Sequence, residues 1–383
     1  MEFEFSEEEN ILRQQVRKLA KDKIAPLMDG VEDTKDMRRE LHQIMAAQGL
    51  YSLFAPEEYG GAGIRSVPIC IVREELSKIS VQCDWTFTAG GLGTYGITLA
   101  GSEEQKRKYI TRVAKGELLG CFALTDISGG SDVAGMSTKA TRDGEYYVIN
   151  GSKVFSSDAS IADIWLVFAR TDPAKGYKGI SAFIVDPKTP GVENHEYPVM
   201  ALGVLENQLI FTDCRVPAEN LVGAEGEGWS ICLGTLNVFR VTFAASALGI
   251  AEAALKESFK YAQERVAFGG PIIKLQAIQF KLADMATELE AARWLIYRAA
   301  YLRDKGVQRT IGNSSMAKLF TTEMCSRVTR EAVQIHGGWG WTRGYKVEHL
   351  YRIATMYPVG EGTNEIQRLT IAREMMRAGS ILD

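Results

Sequence analysis

Between residues 118 and 223 of this 383-residue chain the apolar pattern belongs to strands, and on either side of that block it belongs to helices. The two patterns differ because successive strand side chains point to opposite faces, whereas helical side chains return to one face every three or four residues. The order helical, β, helical predicts a mostly α chain with a central β domain. Its parts are an N-terminal helical domain over 1–117, a middle β-barrel or sandwich domain over 118–223, and a C-terminal four-helix bundle over 224–383.

Local signals support each part. Ser6 and Glu9 have capping-box spacing, and Ile11, Leu12, Val16, Leu19 and Ile24 keep roughly to one helix face. A second helix carries Met37, Leu41, Ile44 and Met45 and meets Gly49 where a C-cap belongs. In "YYVINGSKVF" the dipeptide Asn150-Gly151 predicts a type I′ hairpin turn, because both central residues of that turn need positive φ. "DIWLVFAR", "GISAFIVD" and "NQLIFTDCRVP" predict further strands. Helical patterns then run through 240–265, 275–304, 314–335 and 363–377.

Composition narrows the functions. The formal net charge of -4, with no Lys/Arg run, gives no electrostatic case for binding nucleic acid. No apolar stretch approaches bilayer length, and the start "MEFEFSEEEN" is acidic where a leader would be basic, so a cytoplasmic protein is expected; a mitochondrial matrix enzyme already stripped of its leader would look the same. The six cysteines are scattered singly and read as small buried hydrophobes. Four histidines without an HExxH pair predict no metal site. Glycines cluster at "AGGLGTYG", "ISGGSD", "GAEGEGW" and "HGGWGW", where backbone could approach a ligand, yet none has strand-GxGxxG-helix context and no GxxxxGK[ST] occurs.

"GEGTNEIQR" (360–368) sets a carboxylate, Glu361, between two glycines before a helix start. Four further segments share its register: "CFALTDISGGSD" (121–132), "NGSKVFSSDAS" (150–160), "ERVAFGGPIIKLQAIQFKLADMATELEAAR" (264–293) and "VQIHGGWG" (333–340). In order, spacing and surrounding texture they resemble the acyl-CoA dehydrogenase family over essentially the whole chain. The resemblance implies FAD at the junction of the β domain and the C-terminal helices, within a homo-oligomer, expected as a tetramer, whose flavin contacts come from two subunits.

By that resemblance Phe122, Leu124 and Thr125 lie along the flavin ring, and Gly130 and Ser131 lie near its diphosphate, Ser131 also near the acyl-CoA. Phe155 covers one flavin face and Ser157 hydrogen-bonds its edge. Arg265, Phe268 and Gln276 match contacts supplied by a neighbouring subunit. Gln334, Gly337 and Gly338 match a turn over the diphosphate, and Thr363 and Glu365 match contacts at a helix start, which favours anionic ligands. His336 reads as packed or hydrogen-bonded and not as a catalyst.

The activity implied is α,β-dehydrogenation of an acyl-CoA thioester, with the α-proton going to Glu361 and the β-hydride to flavin N5, and with electron-transferring flavoprotein as acceptor. A buried carboxylate beside substrate has its pKa raised by desolvation, as such a base requires. Gly360 and Gly362 let the main chain approach the thioester. Some relatives carry the base one residue before the arginine of a helix that here reads "LNVFR" (236–240); that residue is Phe239, which takes no proton, leaving Arg240 to orient the carboxylate or contact CoA.

Gly360 stands where many relatives have Tyr, and the small residues of 89–96 are expected to line the acyl pocket, which together suggest a bulky, branched or cyclic acyl group. Asp126 and Ile127 replace a usual Glu-Pro, and 201–211 is shorter than its counterpart. The alternatives are a flavin acyl-CoA oxidase, an enoyl-CoA reductase on the same scaffold, or a non-catalytic acyl-CoA or flavin-binding protein.

Overall fold

The computed structural model describes residues 4–28, 34–200 and 205–379. The first helix, Glu7–Leu19, begins at a closed capping box: Glu9 N–H donates to Ser6 Oγ at 3.2 Å, and Ser6 N–H donates to Glu9 Oε2 at 2.8 Å. It buries Val16 and Leu19, and Ile24 follows them into the core, but Ile11 turns outward. The helix Lys35–Ala47 stops before Gly49, whose φ of 69° is the left-handed conformation a C-terminal glycine supplies. Two further helices, Ser66–Ser77 and Val81–Leu92, are buried on nearly every side.

Eight strands form the sheet: β1 Gly120–Ala123, β2 Lys139–Asp143, β3 Tyr146–Lys153, β4 Ile164–Arg170, β5 Ile180–Val185, β6 Val192–Pro198, β7 Leu205–Pro217 and β8 Leu221–Val222. Their order is β6-β7-β3-β2-β4-β5-β8, with β1 parallel to β4. Asn150-Gly151 does not turn the chain. The hairpin between β2 and β3 turns at Gly144, φ 60°, and Asn150-Gly151 lies inside β3 at a bulge against β7. Tertiary packing overrides the turn signal: a side chain at Gly151 would meet Thr138 Cα at 2.5 Å, and the Asn150 amide is engaged by Asp213 N–H at 2.8 Å. Of the 201–211 stretch, residues 201–204 fall outside the described region.

The C-terminal part packs Gly228–Glu264, Gln276–Asp304 and Ile311–His336 against one another, and Asn364–Ala378 lies along the third, with the short Lys346–Ala354 helix between. The Gly228–Glu264 helix starts well before residue 240. Its first glycine is demanded by close packing, since a Cβ there would stand 2.7 Å from the Ser181 carbonyl carbon. Contrary to the reading of apolar runs, this helix is long and apolar enough to cross a bilayer by composition. Most of that stretch is buried instead, against Ser66–Ser77, Gln276–Asp304 and Ile311–His336, as the central helix of a core. All six cysteines are buried and free.

Candidate active site

Glu361 sits on the loop that joins Lys346–Ala354 to Asn364–Ala378. Its backbone has φ 51°, uncommon for a residue with a side chain, and Gly362 follows at 87°. The residue as a whole is half-buried, yet its Oε2 is shut off from solvent with no hydrogen-bond partner among the described residues. A buried, unpartnered carboxylate oxygen is costly, and such costs are kept where a ligand will meet the atom. Burial pushes the Glu361 carboxyl above its ordinary value, against the opposing pull of Arg73, Arg240 and Lys318.

Those three cations are held from three directions. Arg73 forms a two-pronged pair with Asp84, Nε to Oδ1 and Nη2 to Oδ2 both at 2.8 Å, and donates to Thr242 Oγ1 at 3.1 Å. Burial alone would lower the guanidinium, but Asp84 keeps it above its usual range. Ser246 joins the pair by donating to Asp84 Oδ2 at 2.6 Å and lies 2.6 Å from the Tyr357 hydroxyl. Asp84 is thus a partner of Arg73, committed to it at both oxygens. Arg240 is 5% exposed with no hydrogen-bond partner at Nε, and burial lowers its pKa against the pull of Glu361.

Lys318 anchors the loop itself. Fully buried in the Ile311–His336 helix, its Nζ donates to Pro358 O at 3.2 Å, Gly362 O at 3.0 Å and Asn364 Oδ1 at 2.9 Å. Burial pushes this ammonium down to about 7. Gln367 adds a bond to Gly362 O at 2.8 Å. The carbonyls on both sides of Glu361 are therefore fixed from beneath. Neither Lys318 nor Arg73 stood out in the sequence; the available signal was a charged residue inside apolar helical stretches, "SVPICIVREELS" and "SSMAKLF".

The structure brings a second group together just past the C-terminal ends of β1 and β3. Lys153 Nζ donates to Leu124 O at 3.0 Å and Val154 N–H to Thr125 O at 2.9 Å, which sets the 122–125 segment beside the 155–158 turn. Phe122 packs edge-on to Phe168 with ring centroids 5.0 Å apart. Phe155, φ 53°, holds its ring 61% exposed, and Ser157 directs its hydroxyl to Glu206 at 2.9 Å. Asp126 gathers Thr138, Ser137 and Ser128, so the acid in place of the usual glutamate ties down its own loop. Gly130 and Ser131 lie exposed on that loop.

A third group lines the far end of the bundle. Arg265 and Phe268 belong to the small hairpin Val266–Ala267 and Gly270–Pro271, and Phe268 is 94% exposed at φ 53°. Gln276 opens the following helix, also exposed. Arg265, His336, Gly337, Gly338 and Trp339 line a shallow groove of about 450 Å³, with exposed Gln334 close by in sequence. No heavy atom of the described residues stands within 4 Å of where a Cβ would sit on Gly338, so none of them requires glycine there; the bare backbone suits a phosphate-bearing ligand. His336 stacks on Tyr261 and its Nδ1 lies 2.8 Å from Ala332 O, the packed role expected of it. Thr363 caps Asn364–Ala378, and the exposed Glu365 carboxyl is held below its ordinary value by backbone N–H and the Thr363 side chain. Among the described residues, no hydrogen bond, ion pair or ring contact joins the Phe155 group to the Phe268 group.

One expectation fails. The glycines of 89–96 do not face an open pocket: a Cβ on Gly90 would stand 2.4 Å from Tyr51, and one on Gly91 2.3 Å from Phe54 and 2.7 Å from Phe239. They exist so that helix Val81–Leu92 can pack against that aromatic cluster. Gly226 is likewise pressed by the chain's own backbone, at Lys178 O.

A buried carboxylate beside a helix bundle and an exposed aromatic on an adjoining sheet fit an enzyme of the flavin-dependent oxidoreductase class, and the comparisons with known proteins show that class. Family models agree along the chain: the acyl-CoA dehydrogenase N-terminal domain matches residues 6–117, the middle domain 121–214 and the C-terminal domain 226–376. An acyl-CoA dehydrogenase of Bacillus subtilis is 43% identical over 97% of this chain and 98% of its own length. The CarC subunit of the caffeyl-CoA reductase-Etf complex of Acetobacterium woodii is 38% identical over 97% and 99%. The solved butyryl-CoA dehydrogenase of Megasphaera elsdenii superposes with a TM-score of 0.92 at 36% identity, covering 98% of this chain and 100% of that one. The chain belongs to the acyl-CoA dehydrogenase family, whose members are FAD-dependent oxidoreductases.

Proposed function

We propose that this enzyme removes hydrogen from Cα and Cβ of an acyl-CoA thioester, with Glu361 as the base for the α-proton. The observation that carries the proposal is the enclosed, unpartnered Oε2 of Glu361, which has no structural use where it stands. Desolvation raises the affinity of this carboxylate for a proton, so it accepts one from a weak carbon acid more readily than a solvated glutamate would. Arg73, Arg240 and Lys318 oppose that rise and favour its ionised form. Lys318 fixes its loop, and with Gly360 N–H committed to Met356 O at 2.9 Å, the Glu361 and Gly362 N–H groups are the ones left for a thioester carbonyl.

Bound FAD supplies the acceptor for the β-hydride. The residues suited to hold it are Phe122, Leu124, Thr125, Gly130, Ser131, Phe155 and Ser157 from one chain, with Thr363 and Glu365 near the base. Arg265, Phe268, Gln276, Gln334, Gly337 and Gly338 suit a neighbouring chain's flavin. Exposure of the Phe268 ring in the single chain supports that division and, with it, a homo-oligomer, which we propose is a tetramer. Arg240 and Ser131 are assigned to the thioester side. Electron-transferring flavoprotein is the proposed acceptor, supported by the Etf complex of the Acetobacterium relative.

That same relative favours a second reading in which the cell runs the reaction toward the saturated thioester, since the groups are the same in either direction. It is also the support for a bulky acyl group. Gly360 itself gives less room than the absent side chain implies, because Met356 Sδ and Phe243 Cζ lie 2.8 and 2.9 Å from its Cβ position. The deciding experiment mixes the yellow protein with a panel of acyl-CoAs under argon. Bleaching with formation of an enoyl product is expected, more with branched or aromatic acyl groups than with straight medium chains. No bleaching with any thioester would leave a binding protein, and bleaching by straight chains alone would remove the bulky substrate.

A further inference from the structure

The turn that presents Phe155 and Ser157 is pinned at three successive residues by the strands beneath it. Phe155 N–H donates to the Tyr197 hydroxyl at 3.0 Å, Ser156 N–H to Asn207 O at 3.1 Å, and Ser157 Oγ to Glu206 Oε1 at 2.9 Å and Oε2 at 3.2 Å. Tyr197 and Glu206 are direct partners across the β6–β7 ladder. The last of these anchors differs in kind from the other two. An amide N–H has one role, but a hydroxyl can donate or accept, and its neighbour here is a carboxyl group that can also do either.

Glu206 is 8% exposed, and burial pushes its carboxyl up to about 7 despite the Ser157 bond. Asp158 adds to the rise and Arg38, on the Lys35–Ala47 helix, opposes it; Arg38 is itself paired with Asp158 at 3.1 Å. Tyr197 from β6 and Cys121 from β1 are the other titratable groups that feel Glu206, and burial raises both, so they stay neutral across the range in which Glu206 titrates. Glu206 is therefore the group here that changes charge near neutrality. No part of the proton abstraction by Glu361 uses it.

We propose that Glu206 sets the hydrogen-bonding direction of the Ser157 hydroxyl toward the flavin edge. When Glu206 is ionised the Ser157 hydrogen points back to it, and the hydroxyl oxygen can only accept on its open side. When Glu206 is protonated it donates to Ser157 Oγ, and the Ser157 hydrogen turns outward as a donor. The edge nitrogen of an oxidised flavin is an acceptor and is served by the second arrangement. Binding of oxidised FAD is thus coupled to uptake of one proton at Glu206, supplied by solvent. The inference rests on the placement of the flavin edge against Ser157 proposed above.

The test titrates flavin-stripped full-length protein with oxidised FAD between pH 6 and 8, by fluorescence and by calorimetry in buffers of different ionisation enthalpy. Expected is affinity about tenfold weaker at pH 8 than at pH 6, with fractional proton uptake near pH 7. Glu206→Gln, whose amide N–H mimics the protonated acid, should bind at pH 8 as the parent binds at pH 6 and show no proton uptake. Ser157→Ala should bind more weakly at pH 6 and lose the pH dependence. If Ser157→Ala weakens FAD while the parent takes up no proton, or if Glu206→Gln keeps the parent's pH slope, the role of Glu206 is overturned and the flavin placement survives. If Ser157→Ala binds FAD as the parent does at every pH, the placement falls and takes this inference with it.

Discussion

The corner that holds Glu361 and the face that displays Phe268 are built on opposite plans. Around Glu361 two of the three cations have been given partners by the chain itself: Asp84 for Arg73, and main-chain carbonyls with Asn364 for Lys318. At the far end of the bundle Phe268, Trp341 and Val266 stand largely in solvent, and Gly337 and Gly338 offer backbone to a groove that none of the described residues fills. Acid-base chemistry needs a charge environment fixed before substrate arrives. A cofactor site shared between chains needs surface left over after each chain has folded. One region completes itself and the other waits.

The strongest challenge to this contrast is Glu361→Gln. It should leave FAD and ligand affinity near normal and slow anaerobic flavin bleaching by roughly 10²- to 10⁴-fold. A near-normal rate would move the base to another acid and end the assignment. Lys318→Met removes three anchors from the loop without touching substrate, and roughly 10²-fold loss of bleaching rate is expected from a displaced base. If the loop were held by its neighbours alone, the rate would stay within a few-fold of the parent.

On the waiting side, Phe268→Ala should leave the unfolding temperature of the flavin-stripped chain unchanged, since the ring touches little, yet speed FAD loss by about tenfold. A large drop in stability of the stripped chain would mean that this face is part of the folded core after all. The smallest effect expected is in pH. Glu361 has a raised pKa in the folded protein, so bleaching should decline as pH falls through a value above the ordinary carboxylate range, about 4.3. The same shift makes folding with ionised Glu361 costlier, so Glu361→Gln should gain stability over the parent as pH rises through that range. A rate limb at the ordinary value would show the carboxylate to be solvated during turnover.

What could be read in the sequence was whatever depends on near neighbours. The Ser6–Glu9 capping box, the Gly49 stop and the long helical periods of 275–304 and 314–335 need only residues a few positions apart. Glu361 stood out because two glycines mark it locally. Asn150-Gly151 misled because β7 and Thr138, distant in sequence, claim it for a bulge. Gly90 and Gly91 misled for the same reason, their neighbours being Tyr51, Phe54 and Phe239. Lys318, Arg73 and Glu206 stayed hidden because a charged residue within a helix or strand is usually solvated, and only the packed fold reveals that these are not.

Among the described residues, five without a glycine's freedom have positive φ: Phe155, Asp158, Asp213, Phe268 and Glu361. Three of them carry the proposed chemistry or flavin contacts. Glycine at those three places would relax the main chain while deleting the group that matters. A laboratory selection that rewarded heat resistance alone would therefore erode catalysis first, and any effort to harden this enzyme has to screen for turnover at every round.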